Sequence, residues 1–285
     1  GIYWRVRDRL MRGREPPGAA APSPPRAVAP LRLRPRPEAA PAILEVEGLS
    51  KSFGGLRAVH EVGFAVARGG ILGIIGPNGA GKTTLFNLLN GFLAPDRGRV
   101  MLEGRSLIGL KPNRICRLGV GRTFQVMRPF ARMSALQNTL VGAYVAERSD
   151  TAAMAAAYAA LDRVGLAGRA GIVAGGLTTK ELRLMELARA LAGRPRLLLM
   201  DEPLAGLGGG EIDDLLVVIR ALAGDGVTIV IIEHTMQAMV RLADRLVVLD
   251  HGRLIAAGPP EAVTGDAQVI EAYLGRKWTA LRARG

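Results

Sequence analysis

A glycine-rich turn between an apolar run and a helical run is the feature that most limits what this chain can fold into. Gly76–Thr83 match the phosphate-loop pattern Gly-x-x-x-x-Gly-Lys-[Ser/Thr] at every position. Ile71–Ile75 before the turn predict a buried strand, and Thr84–Leu89 after it predict the first turns of a helix. Backbone N–H groups and the positive end of the helix dipole converge at such a junction. The sequence therefore predicts a site for the phosphates of a nucleoside triphosphate.

The same pattern assigns roles to single residues. Lys82 is expected to reach the β- and γ-phosphates, and the Thr83 hydroxyl is expected to ligate Mg²⁺. The alternative is a turn that fits the pattern by chance, which the flanking strand and helix argue against. ATP and Mg²⁺ are thus the expected cofactors. The residues predicted to bind the nucleotide here are Gly76, Pro77, Asn78, Gly79, Ala80, Gly81, Lys82, Thr83 and Thr84.

The composition fits a protein with a sizeable core and no membrane-spanning segment of its own. Hydrophobic residues make up 49% of the 285 positions. No apolar run approaches the roughly 18 residues of a spanning helix, so we expect a soluble or peripheral protein. A single cysteine, Cys116, excludes an internal disulfide framework and fits a reducing compartment. The net charge of +13 would suit nucleic acid or an anionic membrane surface, but it is a weak indication of either.

Residues 1–41 differ in composition from the rest. They hold nine of the 17 prolines, and nine arginines against three acidic residues. Because proline fixes its φ angle and lacks an N–H, this Pro/Arg-rich segment is predicted to be an extended, flexible linker. Gly1–Leu10 combine aromatic and basic residues, as at a membrane boundary, and resemble the juxtamembrane end of a permease. Two interpretations stay open: the tail of a fused permease, or else a disordered extension or a wrongly assigned start.

From Ala42 onward, strands alternate with helices, which predicts an α/β fold with a mainly parallel sheet covered on both faces. The section of about 105–180 has a helical pattern, including Ala152–Leu161, and predicts an inserted helical subdomain. The predicted strands are Ile43–Glu47, Val62–Val66, Ile71–Ile75, Arg99–Glu103, Leu197–Asp201, Val227–Ile232, Arg245–Asp250 and Gly252–Ala257. The helices predicted after residue 180 are Leu182–Leu191, Glu211–Leu222 and Thr235–Leu242.

A second nucleotide signal lies at the end of the strand Leu197–Asp201. Four apolar residues there are followed by two carboxylates, Asp201 and Glu202. In a protein with a phosphate loop, such an aspartate holds the Mg²⁺ shell. Glu202 is expected to polarise the attacking water as general base. An isolated Asp-Glu pair is more often an ordinary solvated strand end, but the phosphate loop makes the functional interpretation stronger here.

Taken together, these motifs resemble those of the ATP-binding cassette (ABC) ATPases in identity and order. The resemblance covers residues 43–275 or so. It implies a P-loop NTPase fold of the ABC type for a domain at 42–275, with antiparallel strands beside the parallel core and with a basic tail at 276–285. The motifs are the phosphate loop, Gln125 within Arg122–Gln125, the helix Leu182–Leu191, Asp201-Glu202-Pro203, the loop Leu204–Leu207, and His234 after Ile232-Glu233.

The resemblance implies further roles by position. Phe53 resembles the aromatic residue that stacks on adenine, although a core phenylalanine is the alternative. Gln125 resembles the loop residue that senses Mg²⁺ and the attacking water and that links to the membrane subunit. Glu202 resembles the catalytic base, and His234 resembles the switch histidine at the γ-phosphate. His60 and His251 match no motif and are predicted to be surface residues.

One motif departs from the family pattern. The usual signature Leu-Ser-Gly-Gly-Gln corresponds here to Leu177, Thr178, Thr179, Lys180 and Glu181. Thr178 keeps a hydroxyl for a γ-phosphate, whereas Thr179 and Lys180 replace glycines and hinder close backbone approach. Glu181 adds negative charge, which we expect Lys180 and the helix N-terminus to offset in part.

The loop after Pro203 also departs, with Gly208 where the family commonly has Asp or Asn. The resemblance assigns the signature and this loop to the opposite nucleotide of a head-to-tail dimer. An intact phosphate loop with an altered signature therefore predicts an asymmetric pair, a heterodimer with a second ABC ATPase.

Several stretches resemble the ATPases of branched-chain amino acid importers, most of all Val269–Gly275. The resemblance implies a second ATPase, two permease subunits or a fused permease, and a periplasmic solute-binding protein. The expected location is the cytoplasmic face of the inner membrane, peripheral or tethered to a permease. The expected solutes are branched-chain or other small amino acids, with urea or short amides as the alternative.

Two other functional classes are weighed against transport. A soluble ABC ATPase that acts on nucleic acid or ribosomes is slightly favoured by the charge, but such proteins usually carry two cassettes or a coiled-coil insertion. Direct nucleic-acid binding is therefore not expected. A nucleotide-dependent interaction module without useful hydrolysis fits the altered signature, but Glu202 and His234 argue against it.

Overall fold

Two sheets organise residues 41–274, the part of the chain that this computed structural model describes. The smaller sheet is antiparallel and has the order β2-β1-β4-β5, and the larger has the order β10-β9-β3-β8-β7-β6. The strands are β1 (Ala42–Phe53), β2 (Leu56–Ala67), β3 (Ile71–Ile75), β4 (Arg97–Leu102), β5 (Arg105–Ser106), β6 (Val120–Arg122), β7 (Leu197–Asp201), β8 (Thr228–Ile232), β9 (Arg245–Asp250) and β10 (Arg253–Gly258).

The larger sheet is parallel except at β10, which pairs antiparallel with β9. Every residue of β3, β7 and β8 is buried. Strands covered on both faces read as continuous apolar runs rather than alternating ones, which is why these strands were visible in the sequence. Their bounds were predicted to within one residue.

Helices cover the sheets and fill the section between β5 and β7. They are α1 (Lys82–Leu89), α2 (Pro112–Arg117), α3 (Ala135–Ala143), α4 (Asp150–Arg163), α5 (Thr179–Ala192), α6 (Gly209–Gly224), α7 (Met236–Leu242), α8 (Pro260–Thr264) and α9 (Ala267–Leu274). Short 3-10 turns lie at Ala167–Arg169 and Ala174–Gly176. Capping boxes start α3 at Ser134 and α5 at Thr178, where each hydroxyl accepts a backbone N–H of the first turn.

The predicted α/β fold with a mainly parallel core, antiparallel strands and inserted helices is confirmed. The predicted Ile43–Glu47 and Val62–Val66 were too short, because β1 and β2 continue to a tight hairpin at Gly54-Gly55. Within the section predicted as helical, about 105–180, the short strand β6 adds an edge to the larger sheet, and α5 begins there and ends only at Ala192.

None of the helices within 41–274 has the length and apolar character needed to cross a membrane. The predicted linker, except Pro41, lies outside the described residues. So do the permease-like first ten residues, Gly275 and the basic tail 276–285.

Candidate active site

Four neighbouring parallel strands carry the predicted site residues at their carboxyl ends. In sheet order, the phosphate loop follows β3, His234 lies just beyond β8, Asp201 and Glu202 stand at the end of β7, and Gln125 follows β6. Because these strands are parallel and adjacent, residues distant in sequence meet along one edge. The crevice at this edge of an open α/β sheet is where ligands bind.

The backbone of the phosphate loop is held in a conformation and a position that only glycine permits. Gly76, Gly79 and Gly81 all have positive φ angles, 152°, 81° and 98°. A Cβ on Gly81 would lie 2.1 Å from the carbonyl oxygen of Ala58 on β2, and one on Gly76 would lie 2.1 Å from that of Leu249. The loop therefore lies tightly between β2 and the end of β9, and its backbone geometry is fixed.

Lys82 lies at the start of α1 with its ammonium group turned into the loop. Its Nζ donates to the carbonyl oxygens of Gly76 (2.6 Å) and Pro77 (2.9 Å), and the residue is 6% exposed. Burial lowers the pKa of Lys82, while the charges of Glu202 and Asp201 raise it. A cation so placed meets phosphate oxygens at the end of the loop.

Glu202 has a strained backbone and two side-chain contacts. Its φ is +48°, in the left-handed region that costs energy for a residue with a Cβ. Gln125 Nε2 donates to its Oε2 at 2.7 Å, and His234 Nε2 lies 2.5 Å from its Oε1. Glu202 is 7% exposed, whereas Gln125 and His234 are exposed. The buried carboxylate is thus held between two exposed side chains, beside the phosphate loop.

Asp201 is the residue whose surroundings best fit a metal. One oxygen, Oδ2, accepts from Arg122 Nη2 at 2.9 Å, while the buried Oδ1 has no hydrogen-bond partner. Burial raises the pKa of Asp201, while the bond and charge of Arg122 lower it. No group of three or more His, Cys, Asp or Glu side chains suited to a metal occurs between residues 41 and 274. Mg²⁺ is commonly bound through one or two carboxylates and completes its shell with phosphate, water and other oxygens, so a single buried aspartate with a free oxygen fits it.

Arg122 is a residue of the site with no role predicted from the sequence. Its guanidinium donates to Asp201 and, at 2.9 Å, to Asn87 Oδ1 on α1, and it is almost buried. It also lies 5.8 Å, 5.6 Å and 4.9 Å from the ring centroids of Phe86, Phe92 and Phe124. Arg122 therefore joins α1, β6 and β7 beneath the site. Its partner is 79 positions away, so no local pattern could have revealed the pair.

Phe53 stands at the hairpin between β1 and β2. Its ring is 45% exposed and has Lys51 Nζ 5.6 Å from its centroid. Ala58, on the same hairpin, contacts Gly81 of the phosphate loop, so Phe53 is close along the strand to that contact. An exposed ring here is available for stacking on a base, and it is not the core phenylalanine of the alternative interpretation.

The signature stretch lies at the start of α5, and its described hydrogen bonds and ion pairs do not reach the phosphate loop. Thr178 Oγ1 accepts the Glu181 N–H, and Glu181 Oε2 accepts the Thr178 N–H at 2.9 Å. Arg169 pairs with Glu181, and Lys180 pairs with Asp214 on α6. Lys180 was expected to offset Glu181 together with the helix N-terminus, but it pairs with Asp214. The Thr178 N–H at the helix start and Arg169 stabilise the Glu181 carboxylate instead. Because Thr178 Oγ1 acts as an acceptor in this bond, its O–H proton is still able to donate to another group.

Arg183, two residues after Glu181 on α5, connects the signature helix to the site. Its Nη1 donates to the carbonyl oxygen of Phe124 at 3.1 Å, and its Nη2 donates to that of Ala205 at 3.3 Å. Ala205 is in the loop after Pro203, and Phe124 precedes Gln125. The buried guanidinium thus holds the backbones of two loops that flank Glu202.

Family models match two parts of the chain. Residues 59–205, just over half of the chain, match the family described as ABC transporter. Residues 253–278 match the family described as branched-chain amino acid ATP-binding cassette transporter.

Curated proteins and solved structures give the same family. The high-affinity branched-chain amino acid transport ATP-binding protein BraF of Pseudomonas aeruginosa is 41% identical over an alignment of 249 positions, and the match covers 82% of this chain and 98% of that protein. LivG of Escherichia coli, with the same description, is 37% identical over the same shares. Among solved structures, the ADP conformation of MJ1267, an ATP-binding cassette of an ABC transporter, gives a TM-score of 0.76 at 32% identity. The superposed region comprises 83% of this chain and 100% of MJ1267.

Proposed function

This chain belongs to the ABC transporter family, and we propose that it is the ATP-hydrolysing subunit of an importer for branched-chain or other small amino acids. The observation that carries the ATPase part is the fixing of Glu202 between Gln125 and His234, beside the phosphate loop. The amino-acid part is supported by the described function of BraF and LivG and by the match at residues 253–278.

The proposed chemistry assigns each group a task. The loop amides and Lys82 bind the β- and γ-phosphates and stabilise the charge that develops there. Glu202 orients and polarises the attacking water. His234 contacts the γ-phosphate and steadies Glu202, and Phe53 stacks on the base. Thr83, Gln125 and Asp201 would hold Mg²⁺, which would offset the negative charge of the phosphates.

The proposed dimer is asymmetric. Thr179 and Lys180 present side chains where close backbone approach to a partner's phosphate needs glycine. Gly208 likewise lacks a side chain to offer to the opposite nucleotide; its N–H instead donates to Glu211 at 2.9 Å. We therefore propose a heterodimer with a second ABC ATPase that supplies an intact signature to this chain's phosphate loop.

An exposed apolar surface next to Gln125 is proposed to receive the permeases. It comprises Phe92, Phe124, Val126 and Phe130, which are 54%, 36%, 68% and 43% exposed. Phe92 and Phe124 meet edge to face with centroids 6.3 Å apart. Because Phe124 and Val126 flank Gln125, a docked membrane subunit would sense the state of the nucleotide site. The proposed location is thus the cytoplasmic face of the inner membrane, with a periplasmic binding protein delivering the solute.

Affinity purification tests the proposed partners. Tagged chain is isolated from native membranes in mild detergent, and the proteins that accompany it are identified by mass spectrometry. A second ABC ATPase and permeases are expected with the wild type. Val126→Asp, within the apolar surface, should lose the permeases, whereas Leu56→Asp, 71% exposed on the hairpin, should retain them.

Other outcomes of this purification identify the competing functions. Ribosomes or nucleic acid without a permease would replace the importer by a soluble ATPase. If permeases are recovered, the accompanying binding protein is screened with leucine, isoleucine, valine, urea and short amides. Tight binding of urea alone would identify a urea importer and would contradict the proposed amino-acid solutes.

A further inference from the structure

Glu233 is a buried carboxylate that none of the chemistry above uses. It follows the last residue of β8, precedes His234 and is 2% exposed. Its backbone N–H donates to the carbonyl oxygen of Ile74 at 3.3 Å, at the end of the strand that leads into the phosphate loop. Glu233 is therefore fixed between the phosphate-loop strand and the histidine.

Both oxygens of the Glu233 carboxylate accept backbone N–H groups. Oε1 accepts from Leu204 at 2.8 Å, and Oε2 accepts from His234 at 3.2 Å. Leu204 begins the loop 204–207, which the dimer proposed above turns toward the partner subunit. One side chain thus connects the segment that carries His234 to the loop that faces the partner.

The buried position of Glu233 makes its ionised carboxylate unfavourable, because the charge is removed from water. Burial raises the pKa of Glu233, the Leu204 and His234 N–H groups and the charge of His234 lower it, and the charge of Glu202 raises it again. None of the ion pairs within residues 41–274 includes Glu233. An apolar side chain would avoid the desolvation, but it would leave the buried Leu204 N–H without its acceptor.

Other contacts fix the rest of the loop from different directions. The Ala205 N–H donates to the Glu202 carbonyl at 3.2 Å, and the Ala205 carbonyl accepts from Arg183. Of these three hydrogen bonds, the one from the Leu204 N–H to Glu233 joins the loop to the segment that carries His234.

We infer that Glu233 is a positioning residue that transmits the state of His234 to the partner-facing loop 204–207. Nucleotide contact at His234 shifts the end of β8, and the carboxylate carries that shift to Leu204. The inference rests on the proposed ATP-binding function and adds a route by which one nucleotide site informs the subunit opposite.

Hydrogen exchange on the purified full chain tests the link without requiring turnover. Glu233→Met removes the acceptor, Glu233→Gln keeps an amide oxygen for Leu204, and Glu233→Asp keeps the charge on a side chain one methylene shorter. Thr228→Val is the matched control, because Thr228 Oγ1 accepts the Gly69 N–H at 2.7 Å at the opposite end of β8, also buried.

Without nucleotide, exchange in a peptide covering 203–208 should be about three- to tenfold faster in Glu233→Met than in the wild type. Glu233→Gln and Thr228→Val should leave it unchanged. Addition of a non-hydrolysable ATP analogue with Mg²⁺ should slow this exchange in the wild type, Glu233→Gln and Thr228→Val but not in Glu233→Met. If the methionine variant does not fold, Glu233→Asp gives the same comparison and should lose most of the slowing.

Analogue affinity, measured in parallel, separates the possible failures. Slowing that persists in the methionine or aspartate variant while the analogue still binds would overturn the inference alone. If the analogue also fails to slow exchange in Thr228→Val, the effect is a general loss of structure around β8, and the inference of a specific role for Glu233 is contradicted. A wild-type chain that binds no analogue would contradict the proposed ATPase function, and the inference would fall with it.

Discussion

At the scale of single residues, the chemistry depends on how Glu202 is presented. Its left-handed backbone and its contacts with Gln125 and His234 orient a carboxylate next to the phosphate loop. Strain of this kind persists only where surrounding contacts impose it, and it is concentrated at functional sites. One such contact is the hydrogen bond that the Glu202 N–H donates to the carbonyl oxygen of Ile232 at 3.0 Å.

Glu202→Gln tests this assignment. The amide keeps the size of the side chain but cannot accept a proton, so ATP turnover should fall by about 100-fold or more. ATP affinity should stay within a few fold. Phosphate release and equilibrium binding measure the two quantities.

The control for this variant is Glu261→Gln, an exposed carboxylate on α8. It should leave both quantities unchanged. Near-normal turnover in Glu202→Gln would remove Glu202 from the role of base.

How far single residues could be predicted depended on whether their function is local in sequence. The phosphate loop and the Asp201-Glu202 pair were found because each adjoins a continuous apolar strand. Arg122 and Glu233 were missed, because what matters about them is a contact with a residue 79 or 29 positions away. Lys180 was expected to be the cation that offsets Glu181, but the cation is Arg169, which is 12 positions away.

At the scale of elements, the buried pair of Arg122 and Asp201 joins β6 to β7. Removing one member leaves the other charge buried and unpaired, so Arg122→Met should lower the free energy of unfolding by about 3–5 kcal/mol. Adding Asp201→Asn removes the second charge, and the double variant should be more stable than the sum of the two losses predicts. Urea unfolding of nucleotide-free protein measures this cycle.

An exposed pair serves as the comparison. Arg241 and Asp213 join α7 to α6 at 2.7 Å, with side chains 60% and 56% exposed. Their cycle should give a coupling of about 0–1 kcal/mol. Strict additivity for Arg122 and Asp201 would show that the two strands are not linked by this pair.

Glu186 on α5 predicts a pH effect. Burial raises its pKa above the ordinary value of 4.5, although Arg189 and Arg183 oppose the shift. The folded state then holds the proton more tightly than the unfolded state. The stabilisation is complete at low pH and is lost as pH rises through the folded pKa. Relative to Glu186→Gln, the wild type should therefore lose stability from acidic toward neutral pH.

Glu181 provides the control of opposite sign. The Thr178 N–H lowers its pKa, with Arg169 acting in the same direction. Relative to Glu181→Gln, the wild type should lose stability as pH falls below the ordinary value. Urea unfolding between about pH 3 and 8 compares both variants, and equal slopes would contradict the two environments.

Element type was easier to predict than element length. Buried β3 and β7 were located closely, whereas β1 and β2 were cut short because their outer halves are partly exposed and lack a continuous apolar run. The strand β6 was missed because three residues, one of them glycine, carry no periodic signal. Tertiary pairing with β7 is what makes it a strand.

At the scale of the whole molecule, the altered signature predicts that the chain alone is a poor ATPase. A homodimer would place Thr179 and Lys180 over both phosphate loops. Purified chain should therefore turn over ATP slowly and without positive cooperativity. The double variant Thr179→Gly, Lys180→Gly should raise turnover by about tenfold or more, because backbone donors can then approach the phosphate.

Turnover measured against protein and ATP concentration distinguishes these cases. A single Lys111→Gly variant, outside the signature, is the control. Brisk, cooperative hydrolysis by the unaltered chain would contradict the heterodimer.

Uptake of radiolabelled leucine, isoleucine and valine by the native host tests whether this chain drives an importer of these amino acids. Deletion of this chain should abolish high-affinity uptake of at least one of the three. The wild-type chain should restore uptake, whereas Lys82→Ala and Glu202→Gln, present at equal amounts, should not. Unchanged uptake of all three after deletion, or full restoration by Glu202→Gln, would contradict an ATP-driven importer of these solutes.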